Sequence, residues 1–142
     1  MPARTVPLRH TTWLSRTTPL KTGRPAVSRE ERGGKKLVRA RSGGWCELQV
    51  LGVCWGRGTD FGHRIRRSQG GLWVADGGLF CCRACHMWQD SNPLLSKDFG
   101  WELTNRQPLS TPALRRGVWV QLHPDGTYTP CAAPTSVLED TA

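Results

Sequence analysis

The sequence predicts a small α+β domain with a strand–strand–helix centre, stapled by a four-cysteine zinc site. A basic N-terminal arm precedes it and a short β extension follows. Three observations predict this. Cys46, Cys54, Cys82 and Cys85 fall into two pairs on either side of a hairpin-sized segment, and Zn²⁺ accepts four thiolates without demanding regular secondary structure around them. Only 37% of the 142 residues are apolar, with 16 Gly and 10 Pro, so the core is small and needs a staple. Finally, two β-rich stretches lie between the cysteine pairs, and a helix-like stretch carries the second pair.

The net charge of +9 is unevenly spread. Residues 1–45 hold 11 Lys/Arg against 2 acids, and the rest of the chain is neutral as a whole. A basic arm on a near-neutral domain suits a polyanion, because each phosphate contact releases condensed counterions; the plain alternative is a solvated tail. The N-terminus has no apolar signal-like core, and nothing approaches a membrane-spanning run of ~18 apolar residues. A reducing, cytoplasmic setting is therefore expected, in which paired thiols favour metal over disulfides. The disulfide reading stays open as the alternative.

Along the chain, residues 1–34 read as a largely disordered arm, with Pro2, Pro7, Pro19 and Pro25 among Thr and Arg. Ser28 with Glu30 and Glu31 has the form of a helix start. Gly33-Gly34 argues against one continuous helix, leaving a short helix over Lys35–Arg41 that ends at Gly43-Gly44. Residues 35–93 form the metal-stapled unit. Cys46 to Cys54 encloses an apolar loop or short strand. Thr59–Ile65 reads as a strand carrying His63, Arg66–Gly71 as a loop, Leu72–Val74 as the second strand, and Asp76-Gly77-Gly78 as a turn. Leu79–Asp90 reads as a helix carrying His86, broken by Ser91-Asn92-Pro93. Residues 94–130 form the extension: a short helix from Leu94, a candidate strand over Trp101–Thr104, and a hairpin of Val118–Leu122 and Thr127–Thr129 around Asp125-Gly126. Residues 131–142 read as a frayed tail.

Of the remaining thiols, Cys81 reads as a small buried apolar residue and Cys131 as a loop thiol. His86, next to Cys85, can displace that cysteine as a ligand, although four thiolates already fill a tetrahedron. Most of the seven Trp read as packing, with Trp73 and Trp88 flanking the histidines. His10 and His123 have no partner in sequence.

The run Arg41-Ser-Gly-Gly-Trp-Cys-Glu47, Cys54, Thr59-Asp-Phe-Gly-His-Arg64, Ser68-Gln-Gly-Gly-Leu-Trp73, then Cys82-Arg-Ala-Cys-His-Met-Trp88 resembles the HNH endonucleases. It is most similar to small zinc-bearing members common in bacteriophage genomes. The segments Gly100-Trp101, Gly117-Val-Trp119 and Asp125-Gly126 are similar to their C-terminal extension. The resemblance implies the ββα-metal (His-Me finger) fold and metal-dependent hydrolysis of phosphodiester bonds in DNA. It implies His63 as general base, His86 as a ligand of a catalytic divalent ion such as Mg²⁺ or Mn²⁺, and a phage terminase as a candidate partner. A neutral imidazole suits the base role near pH 7, and a metal supplies charge stabilisation at the phosphate. Arg64, Arg66 and Arg67 follow the base on a loop and read as phosphate contacts.

Two positions depart from that pattern. Gly62 stands where the family carries a metal-ligating His or Asp, and Gly77 where it carries the Asn that orients the base. Asp60, two residues before Gly62 on the same strand face, and Asp76, beside Gly77, are the candidate substitutes. The alternative function is a catalytically weakened zinc finger that binds DNA or a packaging partner.

Overall fold

Ser28 opens the first helix: its hydroxyl accepts the Glu31 N–H at 3.0 Å. Glu30 and Glu31 occupy the first turn and Arg39 and Arg41 the last, which complements the helix dipole. In the computed structural model, which describes residues 23–135, this helix α1 runs unbroken over Arg29–Ser42. The expected break at Gly33-Gly34 is therefore corrected, and the boundary drawn at residue 34 falls inside a helix. The reason is packing. Gly34 is buried, and a methyl group at its Cα would run into the Trp73 carbonyl, so the glycine lets the loop backbone lie directly on the helix. Gly43, at φ +64°, closes the helix and donates its N–H to Ala40 O, a left-handed cap that glycine adopts without strain.

Strand β1 spans Asp60–His63 and β2 spans Gly78–Cys81. They pair antiparallel, Asp60 opposite Cys81 and His63 opposite Gly78. The second strand is thus not Leu72–Val74 but lies six residues further on. Residues 64–77 form the intervening loop, with short 3₁₀ turns at Arg67–Gln69 and Ala75–Gly77. Gly78 belongs to the ladder because only a residue without Cβ leaves room there for the Phe61 ring. Helix α2 covers Arg83–Ser91, so the helix expected from Leu79 begins four residues later. Cys82 is its N-cap, the sulfur accepting the Cys85 N–H at 3.4 Å. The strand–strand–helix order holds, with shifted bounds.

Helix α3, Pro93–Asp98, starts on a proline in its first turn, where the missing N–H costs nothing. Strands β3 (Ala113–Arg115), β4 (Val118–Leu122) and β5 (Tyr128–Pro130) then form an antiparallel meander. The Asp125-Gly126 turn is where it was expected. Trp101–Thr104 is not a strand: Leu103 makes a single bridge to Ile65. Residues 131–134 carry no regular structure. The disordered-arm reading of residues 1–22, His10, and the rest of the frayed tail lie outside the described residues.

One core cluster gathers Cys46, Leu48, Leu79, Cys81, Cys82, Cys85, Trp101, Val120 and Leu122, and a smaller one joins Val38 of α1 to Phe61 and Phe80 of the hairpin. The β1–β2 hairpin therefore has α1 on one face and α2 on the other. Glu47, fully buried, binds these parts together by accepting from Arg41 (2.9 and 2.8 Å), Arg115 (2.7 Å) and the Phe80 N–H (2.8 Å). Burial alone raises its carboxyl pKa, but the two guanidiniums outweigh that and hold it below the usual value. Among the described residues no helix is long and apolar enough to cross a membrane.

Candidate metal centre and histidine faces

Cys46 and Cys54 lie on the loop after α1, and Cys82 and Cys85 on the first turn of α2. Their four sulfurs all lie within 4.8 Å of one another. Four thiolates at ~2.3 Å from one zinc ion sit about 3.8 Å apart in a tetrahedron, so the set is placed to hold a metal ion and fits structural zinc. All six cysteines are unbridged. Backbone N–H groups already point at the sulfurs: Trp55 to Cys82 at 3.4 Å and Gly56 to Cys54 at 3.3 Å. Such donors stabilise thiolates and orient metal ligands. Burial pushes the free thiols of Cys46 and Cys85 up, whereas the N–H donors from Trp55 and Cys85 override burial and hold Cys82 down. Cys81 is buried outside this set, its thiol near Asp60 O at 3.7 Å, as expected of a small apolar residue. Cys131 is exposed.

The strand alternation of β1 decides what the two histidines meet. Asp60 and Gly62 face α2, while Phe61 and His63 face the α1 side. His86, on α2, meets Asp60: Nδ1 and Oδ2 are 2.9 Å apart. Arg83 reaches the same oxygen at 3.0 Å, and the Thr59 hydroxyl donates to Oδ1 at 2.9 Å. Burial raises the Asp60 pKa, but the bonds from His86, Arg83 and Thr59 outweigh it and keep the carboxylate ionised. A carboxylate on Nδ1 fixes the imidazole tautomer and leaves Nε2 with its lone pair free for a cation.

His63 has a different environment. Its ring lies 4.3 Å from the Trp73 ring, edge-on, and 4.7 Å from Phe61. Nε2 is buried with no hydrogen-bond partner. Burial first, then the positive charges of Arg67 and Lys35, push its pKa down to about 4. No hydrogen bond or ring contact joins His63 to His86 among the described residues.

The two substitute positions behave differently. At Gly62 an added Cβ would sit 3.2 Å from both Cys81 Sγ and Gln89 Oε1, so that direction is closed to a ligand side chain. Gln89, which nothing in the sequence singled out, fills this space. Its Nε2 donates to Trp101 O at 2.9 Å while Oε1 is buried without a partner. Asp60 therefore becomes the carboxylate that meets His86. At Gly77 an added Cβ would press on Val74 at 2.9 Å. Asp76 makes no hydrogen bond to His63, and its backbone carbonyl instead accepts from Arg64 at 3.1 Å.

Arg64 is the clearest correction to the expected phosphate contacts. It is fully buried and donates to the carbonyls of Gly100 (2.8 Å), Leu109 (2.9 Å) and Thr111 (2.6 Å) as well as Asp76. Burial lowers its pKa to about 10, which leaves it charged at neutral pH and unavailable to any ligand. Arg66 is exposed but paired with Glu102 at 3.1 Å. Arg67 is exposed, donates to Gly71 O at 2.5 Å and lies 5.5 Å from the Trp73 ring centre. Trp73 flanks His63, but Trp88 packs on Trp101 in the core. The His123 ring lies 2.5 Å from the Thr129 hydroxyl through Nε2. Comparison of the chain with known protein families, with characterised sequences and with solved structures finds no match.

Proposed function

We propose that the protein is a metal-dependent nuclease of HNH type, acting on phosphodiester bonds in DNA through a ββα-metal unit held by structural zinc. One observation carries the reading: Asp60 of β1 and His86 of α2 meet at 2.9 Å across a hairpin and a helix whose first turn belongs to the four-cysteine cluster. The Asp60 contact at Nδ1 leaves Nε2 of His86 as the nitrogen open to a divalent cation, whose shell water would complete. A divalent ion bound there supplies charge stabilisation for the phosphate and the leaving oxygen. Asp60 orients His86 through Nδ1, and Arg83 adds positive charge beside the same carboxylate. His63 is neutral at pH 7, the protonation state a general base requires, but it lies on the opposite face of β1 from His86 with Nε2 buried, so the base role requires its ring to turn out toward the scissile bond.

A second reading is a zinc-stapled nucleic-acid-binding protein that cuts weakly or not at all. It is favoured by the low His63 pKa, which makes a feeble base, and by the absence of an orienting side chain at Gly77. Nicking of supercoiled plasmid with Mg²⁺ or Mn²⁺ separates the two. The nuclease reading expects a loss of ~10²-fold or more on His63→Ala or His86→Ala. Equal nicking by wild type and both variants would overturn it. Plasmid binding without nicking by wild type would select the second reading.

A further inference from the structure

Arg32, Lys35, Lys36 and Arg39 follow the i, i+3, i+4, i+7 spacing of one helix face, and all four are exposed on α1. They line a hollow of about 600 Å³ whose floor is Phe61 and Phe80. Lys36 and Arg39 also line a second hollow of about 410 Å³ that ends at Arg57. The two hollows adjoin across Lys36 and Arg39 and together make up a basic groove along α1. At its far end Arg57 lies 4.8 Å from the Trp45 ring centre, and Trp45 is 48% exposed. Trp55, two residues before Arg57 in sequence, is 73% exposed. At the near end Phe61 touches the His63 ring, and Lys35 lies 5.0 Å from the Trp73 ring centre that flanks the same histidine. No acid lines either hollow among the described residues, and Glu31, one turn before Lys35 on α1, is engaged by it.

We propose that this groove is a binding site for single-stranded nucleic acid, the phosphates tracking the basic face of α1 and unpaired bases stacking on Trp45 and Trp55. A cationic channel interleaved with exposed aromatic rings is the chemistry that single strands select, because every base presents a π-face and duplex bases do not. The groove also replaces Arg64 as the source of phosphate contacts and leads along the α1 face of the hairpin to His63. The binding claim stands without catalysis; only its link to His63 rests on the nuclease reading.

The test uses the zinc-loaded full chain with no added Mg²⁺ or Mn²⁺. Fluorescence anisotropy follows a labelled thymidine 15-mer, a duplex of the same length, and vesicles containing phosphatidylglycerol, over a range of NaCl. The single strand should bind more tightly than the duplex. Lys36→Gln/Arg39→Gln should weaken it about tenfold and flatten the plot of log K against log [NaCl] by about 1.4, at ~0.7 per lost contact. Lys97→Gln/Arg106→Gln removes the same charge from exposed positions elsewhere and should change the slope far less. Trp55→Ala, which leaves packing untouched, and Trp45→Ala should each weaken single-strand binding about tenfold or more and spare the duplex. An unchanged salt slope in the groove variant would overturn the proposal. So would wild-type affinity in both Trp variants, or vesicles binding through the groove as tightly as the oligonucleotide. Nicking that survives the groove variant but is lost in His86→Ala would cut the groove's link to His63 and leave the nuclease standing; single-strand binding without nicking would leave the groove standing and sink the nuclease.

Discussion

His63 is kept neutral by its surroundings. Trp73 and Phe61 desolvate the ring, Arg67 adds repulsion, and the imidazole pKa falls to about 4 from an unfolded value of ~6.5. Between pH 6.5 and pH 4 the unfolded chain therefore takes up a proton at this position that the folded chain refuses. Stability is full above the unfolded value and falls as the pH drops through that window. The residue is only partly buried, which moderates the size of the effect but not its sign. An NMR titration of the imidazole protons should place His63 near pH 4. Urea unfolding should show wild type losing stability relative to His63→Gln as the pH falls from 6.5 to 4. A titration midpoint near 6.5 would show that the ring is solvated. Arg64, the next residue, lies at the other extreme: it is fully charged, wholly buried, and satisfied by backbone carbonyls from a segment 36 to 47 residues away. Adjacent residues of one sequence motif thus serve unrelated ends.

At the scale of the elements, the chemistry-bearing pattern is more legible in the sequence than the boundaries are. The two cysteine pairs, the helix beneath His86 and the Asp125-Gly126 turn follow from local rules of ligand spacing, capping and turn geometry. The identity of β2 does not. Leu72-Trp-Val74 has the stronger β composition, yet Gly78-Leu-Phe-Cys81 pairs with β1 because Gly78 makes way for the Phe61 ring, a tertiary demand that no local signal reports. Arg64 escapes a local reading for the same reason, since a guanidinium in a polar run is solvated unless distant carbonyls converge on it. Gly33-Gly34 shows the limit most directly, because the two glycines play opposite parts in α1. A Cβ at Gly33 would meet nothing within 4 Å, whereas Gly34 lies against the Trp73 backbone. Gly33→Ala should stabilise the fold by ~0.5–1 kcal/mol through helix propensity. Gly34→Ala should destabilise it by ~1–3 kcal/mol, because α1 or the Trp73 loop must move. Chemical denaturation of the two variants checks this, and equal shifts of the same sign would show that α1 does not pack on that loop as described.

For the whole molecule the decisive fact is that the cysteine cluster and the Glu47 ion cluster are neighbours in sequence, at Cys46 and Glu47. The first draws together the loop after α1 and the start of α2; the second draws together α1, β2 and β3. Helices α1 and α2 and strands β2 and β3 are thus tied at two adjacent residues. A buried ion cluster by itself contributes little net stability, since desolvation offsets the attraction, so the larger share would fall to a metal held by the four cysteines. Structural zinc contributes ~10–16 kcal/mol of binding free energy in small domains, as much as or more than the ~5–15 kcal/mol by which folded domains are stable at all. Removing the metal from the reduced protein should therefore unfold the chain as a unit rather than fray α2 alone. Far-UV circular dichroism should lose the signals of helix and sheet together on chelation and recover them on adding one equivalent of Zn²⁺. Cys54→Ser should weaken metal binding, while Cys81→Ser and Cys131→Ser should each retain one zinc per chain. A chelated protein that keeps its melting transition within a few degrees of the zinc-loaded form would mean that packing alone holds the fold, and the stapled-scaffold account would fail with it.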